Sequence, residues 1–233
     1  MPSAGRDERI ATLAHELRSP VAALTNVSHV LTEHAAREPT LAAIAAILGR
    51  QTAVMRALID ELLDASRLEA HCLELRMGVV DLRDVVRTTI EDLRAEIDRA
   101  GLTCEVELAA HPIQVAGDQL KLGQALGNLL SNSIKFTPAP GTVRVVLDSD
   151  GAFARLAVRD TGIGIDSELL AVIFDRYQQA HRGSFGGLGL GLPIVKGLVE
   201  LHGGTVSAAS AGPGTGCTMT IRLPMRLADA SAA

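Results

Sequence analysis

Four clusters of residues in this 233-residue chain have the types and spacing to do chemistry. The first is His15 with Glu16, inside Leu13-Ala14-His15-Glu16-Leu17-Arg18-Ser19-Pro20. A neutral imidazole, with a pKa of about 6.5, is a nucleophile in water, and an adjacent carboxylate can accept or orient its ring proton. Apolar residues at Ile10, Leu13, Leu17, Leu24, Val27 and Leu31 recur at three-four spacing and mark one seam of a helix, and His15 lies off that seam. A lone histidine on a polar helix face is more often simply solvated, so its reading depends on the rest of the chain.

The other three clusters lie more than a hundred residues downstream. In Asn128-Leu129-Leu130-Ser131-Asn132-Ser133-Ile134-Lys135 the asparagines are four apart and share a helix face, with Lys135 close by. Amide oxygens are hard ligands suited to Mg²⁺, and a lysine donates to phosphate. In Asp160-Thr161-Gly162-Ile163-Gly164-Ile165 a strand delivers a carboxylate to a glycine-bounded turn, where backbone can approach a planar ligand closely. The run Gly186-Gly187-Leu188-Gly189-Leu190-Gly191-Leu192 leads into a helix, and glycine-rich backbone at a helix N-terminus is an anion site. Between Arg176 and Val199 there is no acidic residue, which suits a triphosphate. There is no GxxxxGK[ST] and no complete GxGxxG after a first strand, so this is neither a P-loop nor a dinucleotide fold.

Composition narrows the partners. The charge balance of 22 Lys and Arg against 27 Asp and Glu, net -5 without a strongly basic block, does not suit nucleic acid. One Tyr, four Phe and no Trp leave little to stack on bases, so the cores must be built from Leu, Ile, Val and Ala. Cys72, Cys104 and Cys217 are odd in number and far apart without CxxC spacing, which indicates neither a disulfide framework nor a zinc site and fits a reducing cytoplasm. The longest uninterrupted apolar run, residues 41–48, is short of the roughly 18 that suggest a membrane span, and no signal peptide opens the chain. The expectation is a soluble cytoplasmic protein with no membrane segment.

The elements that must position these clusters fall into two sets. The spacing predicts a helix over residues 7–36, bent but not ended by Pro20, then a break at Pro39-Thr40 with Thr40 as cap. A second helix follows over 41–69, with Leu41, Ile44, Leu48, Gln51, Met55, Leu58, Leu62 and Ala65 in its seam. Two such helices form an antiparallel hairpin that cannot cover both apolar stripes by itself, so a four-helix bundle made by a homodimer is expected. From about Met77 the pattern changes. An extended run at 77–80 leads to a helix ending at Gly101, strands are predicted at 103–109 and 113–115, and Asp118 opens a helix to 134. Residues 142–148 and 152–160 form a hairpin about Ser149-Asp150-Gly151, 167–177 is helical, 178–191 is a loop, 192–201 a helix, and 205–210 and 217–223 the last strands. This is a multidomain chain: a helical hairpin at 1–76, an α/β sandwich with a mixed sheet covered by helices at 77–226, and a disordered tail at 227–233.

Taken together, the clusters resemble the transmitter module of a two-component sensor histidine kinase, over residues 7–226 and in the family's order. His15-Glu16-Leu17-Arg18-Ser19-Pro20 resembles the H-box, residues 128–135 the N-box, 160–164 the first glycine box, Phe174-Asp175-Arg176-Tyr177 the F-box and 187–191 the second glycine box. The resemblance implies an ATP-dependent protein-histidine kinase in which His15 accepts the phosphoryl group, Glu16 is its general base, and a response regulator aspartate receives it next. It implies that Asn132 and Asn128 hold Mg²⁺ and order the phosphates of ATP and that Lys135 contacts them. Asp160 would accept from the adenine amine, with Gly162 and Gly164 making room for the base, and Gly187, Gly189 and Gly191 would hinge the ATP lid. The sandwich would be the one shared with gyrase and heat-shock chaperones.

The chain departs from the family at two places. Gln178-Gln179 stands where the lid often carries Arg or Lys, so Arg182 or Arg176 would serve the γ-phosphate. Ser19 stands four residues beyond His15, where phosphatase-competent members carry Thr or Asn, so the resemblance does not carry phosphatase activity over. His29, His34, His71, His111, His181 and His202 match no motif and read as solvated or structural. The alternative is a nucleotide-binding pseudokinase or dimeric scaffold, whose mark would be a broken motif. Upstream of Ile10 the seam reaches Arg6 and Ser3, poor core residues, so the expected input is a sensor domain of which this is an excised module, or a separate sensor protein.

Overall fold

The computed structural model describes residues 4–34, 38–70, 72–175, 178 and 189–226, with the side chains of 4–16, 33, 34 and 39 outside that description. The chain divides into two compact units, residues 1–73 and 74–233. The tail expected at 227–233 lies outside the described residues.

The first unit is a pair of antiparallel helices, α1 (Ala4–His34) and α2 (Pro39–Glu69). Helix α1 continues through Pro20, whose missing N–H removes one intrahelical bond without ending the helix. Helix α2 starts two residues earlier than its apolar pattern indicates: Pro39 takes the first turn, where a ring-fixed φ is pre-organised, and Glu38 is the N-cap residue in place of Thr40. The face that α1 and α2 share differs from the expected seam. Val21, Ile59 and Leu63 form a buried cluster with Leu62 against it, and Ala45 and Thr52 continue the buried stripe of α2. Near its other end Ser28 donates to the Ala45 carbonyl, and Gly49 lies against the Ser28 hydroxyl. The seam residues Leu17, Leu24, Val27, Ile44 and Met55 are all exposed in the single chain. Small residues let the two backbones approach, and the large apolar residues face outward as a second stripe.

The second unit is built from residues that alternate in burial. Strands β4 (Gly141–Ser149) and β5 (Phe153–Asp160) form the expected hairpin, with Asp150 accepting from the Ala152 and Phe153 amides at the turn. They are the middle of a five-stranded mixed sheet with β2 (Leu102–Leu108), β6 (Thr205–Ala209) and β7 (Cys217–Pro224), in the order β2-β4-β5-β7-β6. Only the β2–β4 pair is parallel. On one face Val143, Val145, Leu147, Leu156, Val158, Met219, Ile221 and Leu223 are buried under α3 (Leu82–Arg99), α4 (Gln119–Phe136) and α6 (Gly191–Leu201). The other face carries Arg144, Arg159 and Thr218 in one cross-strand row and Asp148, Arg155 and Arg222 in another, so it is a solvated surface. A short ribbon of β1 (Gly78–Asp81) and β3 (Gln114–Gly117) forms a second, two-stranded sheet, joined to the end of β7 by a bridge between Val115 and Met225. Asp81 and Asp118 cap α3 and α4, each accepting backbone amides of the first turn. The helix expected to reach residue 177 is the short α5 (Ser167–Val172), capped by Asp166. A helical hairpin followed by a two-layer α/β unit with a mixed sheet is the expected fold class.

Candidate functional site

Strand β5 ends at Asp160, which is buried there at 7% exposure with three described donors on its carboxylate. Oδ1 accepts the amides of Gly162 at 2.9 Å and Cys217 at 3.1 Å, and Oδ2 accepts the Ser133 hydroxyl of α4 at 3.3 Å. Burial pushes the carboxyl above its usual range, and these three donors act against that shift. Cys217 sits directly across the β5–β7 ladder, and its thiol is pushed up to about 12, first by burial and then by the Asp160 charge.

The turn after Asp160 is held tightly. A Cβ on Gly162 would clash with the Phe136 carbonyl oxygen at the end of α4, the same oxygen that accepts the Ile163 amide at 3.0 Å. Gly164 has φ +69°, a conformation that favours glycine, and a Cβ there would meet the Gly212 carbonyl. A second glycine loop, residues 210–216, lies against the first. Gly214 donates to Ile163, Gly216 donates to Gly162, and the Ser210 hydroxyl accepts the Ile165 amide at 3.0 Å. Two irregular strand-end loops thus brace each other beside one carboxylate.

Helix α4 brings the N-box residues alongside. Asn128 donates Nδ2 to the carbonyl of Gly191, the first residue of α6, at 3.4 Å. That contact fixes the amide so that its oxygen is the atom left for another partner. Asn132, one turn on, and Lys135 are half-buried, with the lysine ammonium 4.9 Å from the Phe136 ring centroid. Gly189 has φ +69° and Gly191 opens α6, and first-turn amides at such a helix start are suited to an anion. Arg182 and Gly187, with Arg176 and Tyr177, lie outside the described residues. So do the side chains of His15 and Glu16, whose backbone is in α1. Among the described residues no group of three or more His, Cys, Asp or Glu could hold a metal. A divalent cation here would need amide oxygens and a ligand's own phosphates, and Asn128 with Asn132 suits Mg²⁺, an ion content with few protein ligands.

Reasoning from sequence assigned no role to three contributors, Ser133, Cys217 and the 210–216 loop, and read His202 as solvated or structural. The run Gly212-Pro213-Gly214-Thr215-Gly216 was the available signal for the loop, whereas Ser133 and Cys217 gave none before the sheet order was known. His202 is structural. It is buried, its Nδ1–H donates to the Leu198 carbonyl at 2.7 Å, and its Nε2 accepts the Asp118 amide at 2.9 Å. It therefore ties the end of α6 to the start of α4, the two helices that meet at Asn128 and Gly191. His29 and His111 are exposed, as expected.

Residues 6–71 match the family model for the His Kinase A (phospho-acceptor) domain, and residues 117–227 match the Histidine kinase-, DNA gyrase B-, and HSP90-like ATPase. The chain is similar to histidine protein kinase DivJ of Caulobacter vibrioides, with 34% identity over 99% of this chain and 39% of that protein. It is also similar to the sensor-like histidine kinase SenX3 of Mycobacterium tuberculosis, with 33% identity over 95% of this chain and 54% of that one. These curated relatives are about two to two and a half times the length that the chain spans. Among solved structures, full-length ShkA in complex with AMPPNP matches at a TM-score of 0.77 and 28% identity, covering 95% of this chain and 46% of that chain. The mycobacterial sensor histidine kinase MprB matches at 0.58 and 34%, covering 65% of this chain and 99% of that chain.

Proposed function

The chain belongs to the two-component sensor histidine kinases, whose transmitter module it spans, and on that premise we propose that it phosphorylates its own His15 from ATP and passes the phosphoryl group to a response regulator aspartate. The observation that carries the nucleotide half of this reading is the buried Asp160, whose Oδ1 is filled by two backbone amides while Oδ2 retains capacity for a ligand. Adenine offers an amine hydrogen to such an oxygen, and guanine offers a carbonyl that it repels. Gly162 and Gly164, expected to make room for the base, instead let the loop pack on the Phe136 and Gly212 carbonyls, which holds the turn in place beside the Asp160 carboxylate. Asn128, Asn132 and Lys135 on α4, with the N-terminus of α6, would order the phosphates, and Asn132 and Asn128 would hold Mg²⁺. When bound, that ion supplies charge neutralisation on the transferring phosphate. Arg182 or Arg176 would add a γ-phosphate contact, with Gly187, Gly189 and Gly191 as hinges of the segment between.

In the phosphoacceptor unit, a ring nitrogen of His15 attacks the γ-phosphorus. A P–N bond forms, the P–O bond to ADP breaks, and the proton on the other ring nitrogen passes to Glu16. The phosphoryl group then leaves the imidazole for a receiver-domain carboxylate. No motif position is broken, so nothing favours the pseudokinase alternative.

We further infer that the first unit, residues 1–73, is a dimerisation and phosphotransfer domain, and that the exposed stripe of Leu17, Leu24, Val27, Ile44 and Met55 meets a second copy. Helix α2 is also long and apolar enough, by length and composition, to cross a membrane, a property that the uninterrupted-run criterion missed. Arg50, Arg56, Asp60, Glu61, Asp64, Arg67 and Glu69 all lie on it, and these charges suit a soluble cytoplasmic bundle better than lipid.

Incubation with γ-labelled ATP tests the function. The expected product is a phosphoramidate on His15, lost in acid and kept in base. Acid-stable label would point to Ser or Thr and sink the assignment.

A further inference from the structure

Ser133 is a small polar residue in the buried face of α4, 3% exposed, beside half-buried Asn132. A buried helical hydroxyl usually satisfies itself on the carbonyl four residues back, as Thr89 of α3 does on Val85 at 2.7 Å. Ser133 instead crosses to Asp160 Oδ2, and every described partner of that carboxylate is an uncharged donor: the Gly162 amide, the Cys217 amide and this hydroxyl. The two amides hold Oδ1 and, being backbone, are the same whatever side chains the chain carries. Oδ2 therefore has one described protein donor, and that donor is a side chain.

We propose that Ser133 is a positioning residue that sets the preference of this site for 6-amino over 6-oxo purine nucleotides, by donating to Oδ2 of Asp160 and so keeping that oxygen an acceptor. The proposal rests on the reading of Asp160 as the residue that meets the base. Without the hydroxyl, Oδ2 would be a buried anionic oxygen with no donor among the described residues. The least costly response of such a group is to take a proton. A protonated Oδ2 donates, and a donor matches the carbonyl of guanine rather than the amine of adenine. The described neighbours of Asp160 in the sheet supply no charge. Val143 of β4 and Cys217 of β7 flank Asp160 in the sheet, and the Cys217 thiol, held near 12, stays neutral at working pH. Ser133 is too buried to touch the nucleotide, so it acts through Asp160. Alanine is a better helix former and nearly as large, so replacing the hydroxyl does not threaten α4.

The test uses the full chain and calorimetric affinities for AMPPNP and GMPPNP at one pH, for wild type, Ser133→Ala, Ser133→Thr and Asp160→Asn. The expected result is that Ser133→Ala lowers the AMPPNP to GMPPNP affinity ratio about three- to tenfold, the size of one net hydrogen bond, and that Ser133→Thr, which keeps a hydroxyl, restores it. A purely structural role would weaken both ligands alike. Equal losses in Ser133→Ala, or an unchanged ratio, would overturn the proposal while a lowered ratio in Asp160→Asn left the base-reading role standing. An unchanged ratio in Asp160→Asn would overturn the base-reading role itself and the Ser133 proposal with it.

Discussion

The two units of this chain solve the burial problem in opposite ways. The α/β unit builds a closed core from its own elements: one face of the sheet is roofed by three helices, and Leu126, Leu129, Leu147, Ile194 and Leu198 are almost wholly buried, while exposed residues such as Leu120 and Val106 lie outside that core. The helical hairpin buries one small cluster, Val21, Ile59 and Leu63, continues it with small side chains such as Ala45, and leaves a second set of large ones outside, Val27 at 50% and Met55 at 41%. A helix pair that keeps its largest hydrophobes in water is an incomplete fold. On the reading proposed above, the unit that would bind the nucleotide is complete as a single chain, and the unit that carries His15 would be completed by a second copy. The comparison predicts that nucleotide binding and phosphotransfer can be broken independently.

The largest effect should come from His15→Gln, which is expected to abolish labelling from γ-labelled ATP while AMPPNP affinity stays within error. Full labelling of this variant would remove His15 from the reaction. Next is a double substitution in the exposed stripe, Val27→Glu with Met55→Glu. Each unpaired buried charge costs about 3–5 kcal/mol, more than a hundredfold in the association constant. Light scattering should show a monomer, with autophosphorylation lost and nucleotide binding kept. These positions discriminate better than Leu62, which packs against the cluster inside the hairpin and would damage the monomer as well. A fully active monomer would show that the stripe is not a dimer interface. Third, Asp160→Asn should weaken ATP about ten- to a hundredfold, the worth of a charge-assisted hydrogen bond, and GTP less. Equal losses for both nucleotides by calorimetry would take Asp160 out of base reading.

The same contrast explains what could be read from the chain before its structure. In the α/β unit the caps Asp81 and Asp118, the Asp150-Gly151 turn and the alternation of β4 and β5 are local signals, and each element lies within a few residues of its expected place. The pairing β2-β4-β5-β7-β6 is set by contacts between distant segments, which is why Cys217 and the 210–216 loop could not be placed beside Asp160. In the hairpin the pattern of large hydrophobes identified the helices and a stripe that the hairpin leaves uncovered, but not the face by which the two helices meet. Periodicity marks a face that wants cover and does not say whether cover comes from the same chain, and the intrachain contact uses Ala45, Thr52 and Ser28, which such a pattern skips.

The smallest expected effect compares two carboxylates within the α/β unit under the same substitution. Burial opposes ionisation of Asp118, but the amides of Arg76, Lys121 and Leu120 outweigh it and hold its carboxyl below the usual value. A depressed carboxyl contributes stability that is fully present above the unfolded value of about 3.9 and is lost as pH falls through the folded one. Asp160 has the opposite shift, so its ionised form at neutral pH is a burden on the fold without nucleotide. Asp118→Asn should therefore lower the urea midpoint of this unit at pH 7, by less as the pH drops below about 4. Asp160→Asn should leave the midpoint unchanged or raise it. Asparagine keeps an oxygen for the Gly162 and Cys217 amides, and the Ser133 hydroxyl can turn to accept from the new amide. Circular dichroism across urea series at pH 7 and pH 4 reads both. If Asp160→Asn destabilised the ligand-free unit as much as Asp118→Asn, the Asp160 carboxylate would be a structural cap like its neighbour, and its burial would no longer mark it as a group held ready for a ligand.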